Sequence, residues 1–584
     1  MSRSILMIYP EIPITYWSFT HALKYTRAKT SYPPLGLMTI AAMLPSEYAI
    51  KLVDMNVQPL SEKDIREADM IFISAMIVQK ESFENVIHRV KKYNKTIVAG
   101  GPYPSSAYKT LYGVDHIIIN ECETTLLKFM EDFENGCAER EYRSDEYPDI
   151  TTTPSPRFDL VDHRNYYSMM LQFSRGCPFS CEFCDIIEMF GRKPRTKTPD
   201  QFINEMNSLY ETGFRGSLFI VDDNFIGNKA NCRELLKQII PWQRDRKFPF
   251  GLFTEASMNL ADDDELITLM VDAGFNMVFA GIESPSIESL AEAHKTQNMR
   301  TDLSEGVRKM QQKGLEVTGG FIVGFDSDPD DIFERQFNFI QAAGIPVAMV
   351  GLLQAFPGTQ LYERLKKEGR LTGETNGNNT HDLDLNFTSR MDETRLREGY
   401  KELITRLYNT ENYYIRCKNL LKRLPVNDFH GRSVGLDDIL ILWKFTVKNM
   451  LSAGGRKHLK FILWTLLNNR KLFPDAVRLS IMGVHLIAIT QDLIELEGFR
   501  TFLNSNVTML NDALTRPTRE REKTVAASLQ RKTMFVKNEA VNRFKRLNAN
   551  IKKSAKNYLV EFHVTIDELI SNSQMNLKKK TGAY

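Results

Sequence analysis

The chain lacks a dominant charge, a long apolar run and a dense set of cysteines. Its 75 Lys and Arg residues nearly balance its 73 Asp and Glu residues, so the net charge gives no reason to expect a nucleic acid partner. No uninterrupted apolar stretch reaches the roughly 18–20 residues that a membrane-spanning helix needs. We therefore expect no transmembrane segment, with peripheral contact to a membrane left open.

The N-terminus and the chain length bound the class of protein further. Met1 leads within a few residues into a strand-like apolar run instead of a signal peptide. A chain of 584 residues is long enough for three or four globular units. Together these features favour a cytoplasmic protein of mixed architecture, and they leave peripheral contact with the inner face of the membrane open.

Three of the seven cysteines stand close together, as Cys177, Cys181 and Cys184, whereas the other four are scattered singly. A structural zinc site usually takes its four ligands from two paired knuckles, and the sequence has no second knuckle. A disulfide framework is typical of small secreted chains. Iron–sulfur cubanes are normally held by four cysteines, so three without an evident fourth indicate a cluster with one iron open to another ligand.

This CxxxCxxC run, which follows an apolar strand, resembles that of the radical S-adenosylmethionine (SAM) superfamily. The resemblance implies a [4Fe–4S] cluster held by these three cysteines, whose open iron chelates the amino and carboxylate groups of SAM. It also implies a partial (β/α)6 barrel and an external electron donor of the flavodoxin or ferredoxin type.

The first 141 residues alternate short apolar runs with helical patterns, which predicts a doubly wound, Rossmann or flavodoxin-like sheet. In such folds a ligand binds at the carboxyl ends of the strands. The predicted strands are Ile5–Tyr9, Lys51–Met55, Met70–Ala75, Thr96–Gly100 and His116–Asn120.

The loops at those strand ends resemble the loops of cobalamin-binding domains. They contain Asp54, Asn56, Ser74, Gly100 and Gly101. The resemblance implies that these residues surround the nucleotide tail of cobalamin, and glycines allow its close approach because they have no Cβ. Asn56 stands where a cobalt-ligating histidine would sit, so we expect the lower face of cobalamin to lack a protein imidazole. The alternative is a flavodoxin-like domain with ordinary tight turns and no cofactor.

A long loop with paired prolines precedes the first helix and carries Trp17, Phe19 and Tyr32. It could pack over a planar macrocycle or seal an interface between domains. Both interpretations stay open from the sequence.

Residues 142–166 have the composition of a surface linker. Residues 167–360 then repeat strand, loop and helix with the period of βα units, and the catalytic groups of such a barrel lie at the carboxyl ends of its strands. The predicted strands are Met169–Ser174, Leu218–Val221, Gly251–Thr254, Met277–Ala280, Thr318–Val323 and Ala348–Leu353.

Polar residues follow the second, third and fourth of these strands. Asp222 and Asp223 stand where radical SAM proteins hold the methionine amino group, and Asp222 could instead cap the following turn. Glu255, Glu283 and Ser284 offer groups suited to ribose hydroxyls and a sulfonium. A buried carboxylate is costly without a partner, so Glu255 and Glu283 either meet a ligand or pair with a basic side chain.

The fifth strand ends in Gly319–Asp326, which resembles the adenine-packing element of the superfamily and implies an apolar contact from Ile322. Ser327 replaces the glutamate that normally ends this element.

The rest of the chain is predicted to be mostly helical. Residues 361–430 form a barrel extension in which the polar segment Leu371–Phe387 could cover the active site, and residues 431–584 form a helical C-terminal domain. Apolar residues at helical spacing indicate ordinary core packing, with a membrane-facing surface near Lys444, Lys448 and Arg456 as the alternative. The predicted helices are Glu393–Tyr408, Asn412–Lys422, Leu436–Met450, Arg456–Asn468 and Pro474–Glu497.

The whole arrangement resembles the cobalamin-binding radical SAM proteins, in the group that includes hopanoid C-methylases. Four segments carry this closer resemblance, which fades beyond about Arg423: Tyr16–Phe19, Pro33–Leu37, Val53–Val57 and Phe356–Thr359. It implies methylation of an unactivated carbon of an apolar substrate through a 5′-deoxyadenosyl radical and methylcobalamin. The alternatives are a radical cyclase or oxidoreductase without net methylation, and a non-enzymatic carrier.

Overall fold

The computed structural model describes residues 3–300, 302–380, 383–425, 455–515 and 522–581. It divides the chain into two compact units, Met1–Leu486 and Ile487–Tyr584. The domain boundaries given above stay predictions, because this division does not test them.

The N-terminal part forms a six-stranded parallel sheet in the order β2-β1-β3-β4-β5-β6. Ile5 to Ile8 of β1 are all buried, and such continuous apolar runs are typical of parallel strands covered by helices on both faces. The doubly wound fold is therefore confirmed. Its strands are β1 Ser4–Tyr9, β2 Ala49–Asp54, β3 Met70–Ser74, β4 Thr96–Gly100, β5 His116–Ile118 and β6 Glu141–Tyr142. Its helices are α1 Thr20–Leu23, α2 Leu35–Met43, α3 Glu62–Glu67, α4 Lys80–Lys91, α5 Pro102–Ala107 and α6 Leu126–Glu134.

The second sheet is an open half-barrel of six parallel strands in the order β14-β13-β12-β11-β10-β7. Each strand pairs with the next one along the chain, as successive βα units require. The strands are β7 Ser168–Leu171, β10 Gly216–Ile220, β11 Phe250–Ala256, β12 Phe275–Glu283, β13 Glu316–Val323 and β14 Ala348–Leu352. A short antiparallel pair, β8 Ser174–Arg175 and β9 Arg195–Thr196, follows β7.

Local capping fixes the helices between these strands. For example, Asp302 accepts hydrogen bonds from the amides of Ser304 and Glu305, and Gly314 ends the same helix in the left-handed conformation. The helices are α7 Ile186–Phe190, α8 Pro199–Glu211, α9 Lys229–Asp245, α10 Asp264–Asp272, α11 Ile287–Glu292, α12 Leu303–Lys313 and α13 Ile332–Ala343.

The remaining described chain is helical, as predicted. Its helices are α14 Gln360–Lys367, α15 Glu393–Leu407, α16 Thr410–Arg423, α17 Gly455–Asn468, α18 Phe473–Thr515, α19 Glu522–Arg546 and α20 Lys552–Thr581. The helix predicted over Leu436–Met450, with Lys444 and Lys448, lies outside the described residues.

Among the described residues, one helix, Arg470–Ala513, is long and apolar enough to cross a membrane by length and composition. This is weak support for a span, since the core helices of soluble proteins pass the same test. The part of this helix up to Leu486 belongs to the first unit, in which Arg478 pairs with Glu316 of β13 and Tyr413 donates a hydrogen bond to the carbonyl of Leu479.

The N-terminal loop runs along the open edge of the half-barrel. The amides of Tyr167 and Ser168 donate to the carbonyls of Thr30 and Ser31, at 3.0 Å each. The Tyr32 ring lies 5.5 Å from Phe219, and the Trp17 ring lies 5.0 Å from Phe279. These contacts favour the interpretation of this loop as a seal between the two sheets.

Candidate cluster and cofactor site

The three cysteines lie on the loop that follows β7. Gly176 begins this loop with φ +90°, and a Cβ there would lie 2.9 Å from the carbonyl oxygen of Gly191, so only glycine fits without a shift of backbone. The Cys177 amide donates to that carbonyl at 3.2 Å, and the Glu182 amide donates to the carbonyl of Ala293 at 3.0 Å. The loop is therefore held by backbone contacts on both sides.

The cysteine thiols share one partly buried environment. Burial raises the pKa of both Cys177 and Cys184, and the nearby Cys181 adds to each shift. Side-chain amides face two of the sulfurs: Asn224 donates toward Cys177 Sγ at 3.9 Å and Gln297 donates toward Cys181 Sγ at 3.8 Å. Hydrogen bonds of this kind stabilise thiolates and tune a bound cluster.

The donor set fits a cubane. Among the described residues, no three His, Cys, Asp or Glu side chains converge on a single ion. A cubane does not need such convergence, because each cysteine binds a different iron of the cluster.

A buried ion pair lies beside the cysteines. Lys295 Nζ is 2.7 Å from Glu283 Oε1, and both side chains are almost fully buried. Burial acts to lower the pKa of Lys295, but Glu283 and Cys181 outweigh it, so the pKa is raised and the amine stays charged. Of the two alternatives given above for Glu283, a ligand or a basic side chain, the structure shows the basic side chain, Lys295.

Glu283 itself is in the left-handed region, with φ 64°. This is unusual for a residue other than glycine and is concentrated at functional sites. The register between β12 and β13 shifts between Gly281 and Glu283, which accommodates the strained residue.

Three carboxylates gather at the ends of β10 and β11. Burial, then neighbouring carboxylates, raises the pKa of Asp223 to about 7 and that of Glu255 to about 8. Asp223 Oδ2 is buried and has no hydrogen-bond partner among the described residues. A cationic ligand such as a sulfonium or an ammonium would lower these pKa values and favour the charged carboxylates, so the site fits SAM.

Asp222 has a different environment from the other two carboxylates. It accepts hydrogen bonds from the Phe173 amide at 2.7 Å and from Ser174 Oγ at 2.6 Å, and burial raises its pKa to about 6. These bonds fasten the start of the cysteine loop instead of capping the turn that follows Asp222.

Ser284 and Ile322 flank the site on β12 and β13. The Ser284 hydroxyl is buried and accepts a hydrogen bond from the Ser286 amide at 3.2 Å. Gln336 donates to the carbonyls of Ile322 and Glu283, at 2.8 and 3.1 Å, which ties the ends of these two strands together. Contact of Ile322 with adenine and of Ser284 with ribose stay predictions.

On the first sheet, the side chain of Asn56 is engaged by the protein. Its Oδ1 accepts from the Ile12 amide at 2.7 Å, and its Nδ2 donates to Asp54 Oδ1 at 2.7 Å and to the Pro10 carbonyl at 3.2 Å. Asp54 also accepts from the Tyr166 hydroxyl at 3.1 Å. Asn56 therefore holds the first loop to the second strand.

Ser74, Gly100 and Gly101 form a tight cradle at the ends of β3 and β4. A Cβ on Gly101, where φ is +90°, would lie 2.6 Å from Ser74 Oγ, whereas a Cβ on Gly100 would make only ordinary contacts. Gly101 is therefore required by its backbone conformation and by the close approach of Ser74, and contact of these residues with a cobalamin tail stays a prediction.

Ion pairs join the cysteine loop of the half-barrel to the first sheet. Arg175, two residues before Cys177, lies 2.6 Å from Glu121 and 2.7 Å from Glu123. Arg195 also pairs with Glu121 at 2.6 Å. Both glutamates follow β5 of the first sheet, so the cluster loop is tethered to the cobalamin-type domain.

Sequence reasoning missed Asn224, Gln297, Lys295 and Arg364. Asn224 belongs to the Asp-Asp-Asn run after β10, which was an available signal. Gln297 and Lys295 lie far along the chain from Cys181, and Arg364 lies far along the chain from Glu182, with which it pairs, so no local pattern marks these three residues.

Fold and site together define a radical SAM half-barrel joined to a B12-type domain, and the comparisons agree. Three family models match: a B12 binding domain over residues 25–129, the radical SAM superfamily over residues 171–340 and a domain of unknown function, DUF4070, over residues 359–497.

Two curated relatives and a solved structure extend this match. An uncharacterized methyltransferase of Synechocystis sp. is 44% identical over 457 residues, which cover 76% of this chain and 84% of that protein. The hopanoid C-2 methylase of Rhodopseudomonas palustris is 35% identical over 380 residues, which cover 64% of this chain and 72% of that protein. The cobalamin-dependent SAM radical enzyme OxsB, solved with aqua-cobalamin and SAM bound, superposes with a TM-score of 0.54 at 15% identity, covers 91% of this chain and 84% of its own, and supports the fold.

The chain therefore belongs to the cobalamin-dependent radical SAM methyltransferases, in the group that includes hopanoid C-methylases. Its cofactors are a [4Fe–4S] cluster, SAM and cobalamin.

Proposed function

We propose that this methyltransferase acts on an unactivated carbon of an apolar, lipid-like substrate. The observation that carries the proposal is the aromatic lining of the half-barrel. Phe219 and Phe253 stack in parallel with their centroids 4.6 Å apart, and Tyr32 packs on Phe219. Such a surface favours apolar ligands through buried area and close contact.

This apolar lining adjoins the acidic group of the site. Phe279 is the register partner of Glu255 on the neighbouring strand, and Trp17 packs on it. A substrate on these rings would lie beside the place where we expect the sulfonium. The likeness to a hopanoid C-2 methylase supports the lipid class.

Bound SAM, cluster and cobalamin supply the radical and methyl-transfer chemistry. The residues of the chain bind, orient and exclude water. Asn224 and Gln297 direct amide hydrogens toward the sulfurs, Lys295 balances negative charge, and the aromatic rings keep the reacting face dry.

We also infer a cytoplasmic enzyme in peripheral contact with the inner face of the membrane, reduced by a flavodoxin- or ferredoxin-type donor. The lipid-like substrate supports the first part, and the need of a reducible cluster for single electrons supports the second.

A labelling experiment tests the proposed reaction. A deletion strain and its parent would be grown anaerobically with methyl-deuterated methionine, and their lipids and metabolites compared by mass spectrometry. We expect a labelled apolar species that the deletion strain lacks, restored by the gene with Cys137→Ala but not with Cys181→Ala, because Cys137 is exposed and outside the cluster loop.

Identical profiles in the two strains would overturn the proposal. A missing product that carries no deuterium but differs in ring closure or oxidation would instead support the cyclase or oxidoreductase alternative.

A further inference from the structure

Helix α17 exposes two leucines that a soluble helix would normally bury. Leu463 is 57% exposed and Leu467 is 84% exposed. The two residues are four apart and therefore lie on the same side of the helix. Ile415 of the neighbouring α16 is also exposed, at 45%. Single exposed apolar residues are common, but a matched set on two adjacent helices needs an explanation.

The opposite side of α17 is fixed to the protein. Phe461 stacks on Tyr414 of α16 with centroids 4.9 Å apart, and His458 Nδ1 lies 3.3 Å from the Tyr414 hydroxyl. The orientation of the helix is therefore set by packing, and the leucines face outward as a consequence.

Basic residues surround these leucines. Residues 455–474 contain Arg456, Lys457, Lys460, Arg470 and Lys471 but no Asp or Glu. Arg456 and Lys460 precede Leu463 by seven and three residues, which places them on its side of the helix. Glu411 of α16 lies nearby and pairs with Lys457 at 3.1 Å.

A tryptophan sits among the lysines. Trp464 has Lys418 Nζ at 5.4 Å and Lys422 Nζ at 6.0 Å from its ring, both contributed by α16. Tryptophan with lysine is typical of the boundary between water and lipid, where the ring is partly buried and the ammonium reaches the headgroups.

We propose that this face, defined by Ile415, Lys418, Lys460, Leu463, Trp464 and Leu467 and called the Leu463 face, docks on an anionic lipid bilayer. The cations meet the headgroups, and the leucines enter the acyl boundary with the helix parallel to the surface. A nucleic acid would match the charge but leave the leucines in water. The proposal deepens the membrane contact given above and rests on it, but not on the identity of the methylated product.

Vesicle flotation of the full chain tests the proposal. Vesicles of phosphatidylcholine alone would be compared with vesicles that contain phosphatidylglycerol, at low and high salt. We expect binding to the anionic vesicles alone, weakened by salt. Lys418→Gln and Lys460→Gln should each weaken it about fivefold, in line with the contribution of one basic residue near such a surface.

Paired variants separate the Leu463 face from other exposed apolar residues. Leu463→Gln with Leu467→Gln should abolish most binding, and the folded state should be retained because both side chains are already exposed. The matched control is Met534→Gln with Phe535→Gln, an exposed pair on α19 beside Arg531 and Lys532, which should bind as the unaltered protein does.

Three results would overturn the proposal: no flotation of the unaltered protein, equal flotation of the leucine variant, or a change from dimer to monomer in light scattering that accompanies the leucine substitutions. Cobalamin content and reductive SAM cleavage would be measured on the same samples. If the unaltered protein floats with anionic vesicles but binds no cobalamin or does not cleave SAM, the result would count against the proposed reaction and still support the Leu463 face.

Discussion

Arg364 holds Glu182 through two contacts, with Nε 2.5 Å from Oε1 and Nη2 3.1 Å from Oε2. Glu182 follows Cys181 directly, and its carbonyl also accepts from the Leu361 amide at 2.9 Å. Both partners come from the start of the segment matched by the domain of unknown function. Residues of that segment therefore hold the cysteine loop in place through contacts with Glu182, although they lie about 180 residues further along the chain.

We expect Arg364→Met to loosen this loop. The change leaves the nearly buried Glu182 without its cation, which should cost about 2–3 kcal/mol, the range for hydrogen bonds to charged groups. Iron should be lost faster to a chelator after anaerobic reconstitution, and Arg364→Lys should recover only part of the retention because lysine cannot bind in the same two-pronged way.

Arg406→Met is the control for Arg364→Met. Arg406 makes a similar ion pair with Glu334 on the exposed surface of α13, far along the chain from the cysteines. Its substitution should leave iron release unchanged. Equal rates for the two methionine variants would contradict this role of Arg364.

Lys295→Met should be more damaging than removal of the whole ion pair. A buried carboxylate that loses its cation costs about 3–5 kcal/mol, whereas replacing both partners is much closer to neutral. We expect Lys295→Met with Glu283→Gln to recover most of the denaturant midpoint lost in Lys295→Met alone. Equal midpoints of the single and double variants, measured on ligand-free protein, would disprove the pairing.

Asn56 should stabilise the fold through its side-chain hydrogen bonds and should not coordinate cobalt. When the protein is labelled with nitrogen-15 and the cobalamin is not, the electron paramagnetic resonance spectrum of bound cob(II)alamin should be the same as with unlabelled protein, and a nitrogen splitting that changes with the label would refute the expectation. Asn56→Ala should cost about 2–3 kcal/mol, because three hydrogen bonds of about 1 kcal/mol each are lost. Asn338→Ala, on the exposed side of α13, provides the comparison in thermal unfolding.

Glu255 should make the stability of the ligand-free protein fall between about pH 4.5 and pH 8. Burial, then Asp223, Asp222 and Glu283, raises its pKa to about 8, while in the unfolded chain it titrates near 4.5. The folded state therefore keeps a proton that the unfolded state has released, so stability falls as pH rises from about 4.5 to 8.

Glu255→Gln should remove this loss. A tenfold change in proton affinity corresponds to about 1.4 kcal/mol, so a rise of the pKa from 4.5 to about 8 predicts a gain of at most about 5 kcal/mol at pH 8 and none at pH 4. Thermal unfolding of both proteins across this pH range measures the difference. A gain that is the same at both pH values would argue against ionisation as the cause.

Much of this architecture is predictable from local pattern. Buried parallel strands are encoded as short apolar runs, so the predicted strands of both sheets lie within a few residues of observed ones, whereas the short strand Glu141–Tyr142 was not predicted. The assignment of Cys177, Cys181 and Cys184 to a cluster depends on the resemblance of their spacing to that of the radical SAM superfamily, and it stays a prediction. Helix α18 is the exception, since it runs to Thr515 past the predicted end at Glu497.

The parts that sequence could not give depend on distant contacts. Arg364 is 182 residues from Glu182, and Gln297 is 116 residues from Cys181. The local sequence around Arg364 and Gln297 does not distinguish them from the other arginines and glutamines of the chain. Only the folded topology brings them to the cysteine loop.

Arg175 couples the loop after β5 of the first sheet to the cysteine loop of the half-barrel. Its guanidinium is locked between Glu121 and Glu123 of one domain, while its backbone leads directly into the first cluster ligand of the other. If the loop after β5 moves, Glu121 and Glu123 move with it, and we expect Arg175 and the neighbouring Cys177 to shift as well. Because Arg175 joins the loop after β5 to the cysteine loop, we expect the two loops to move together.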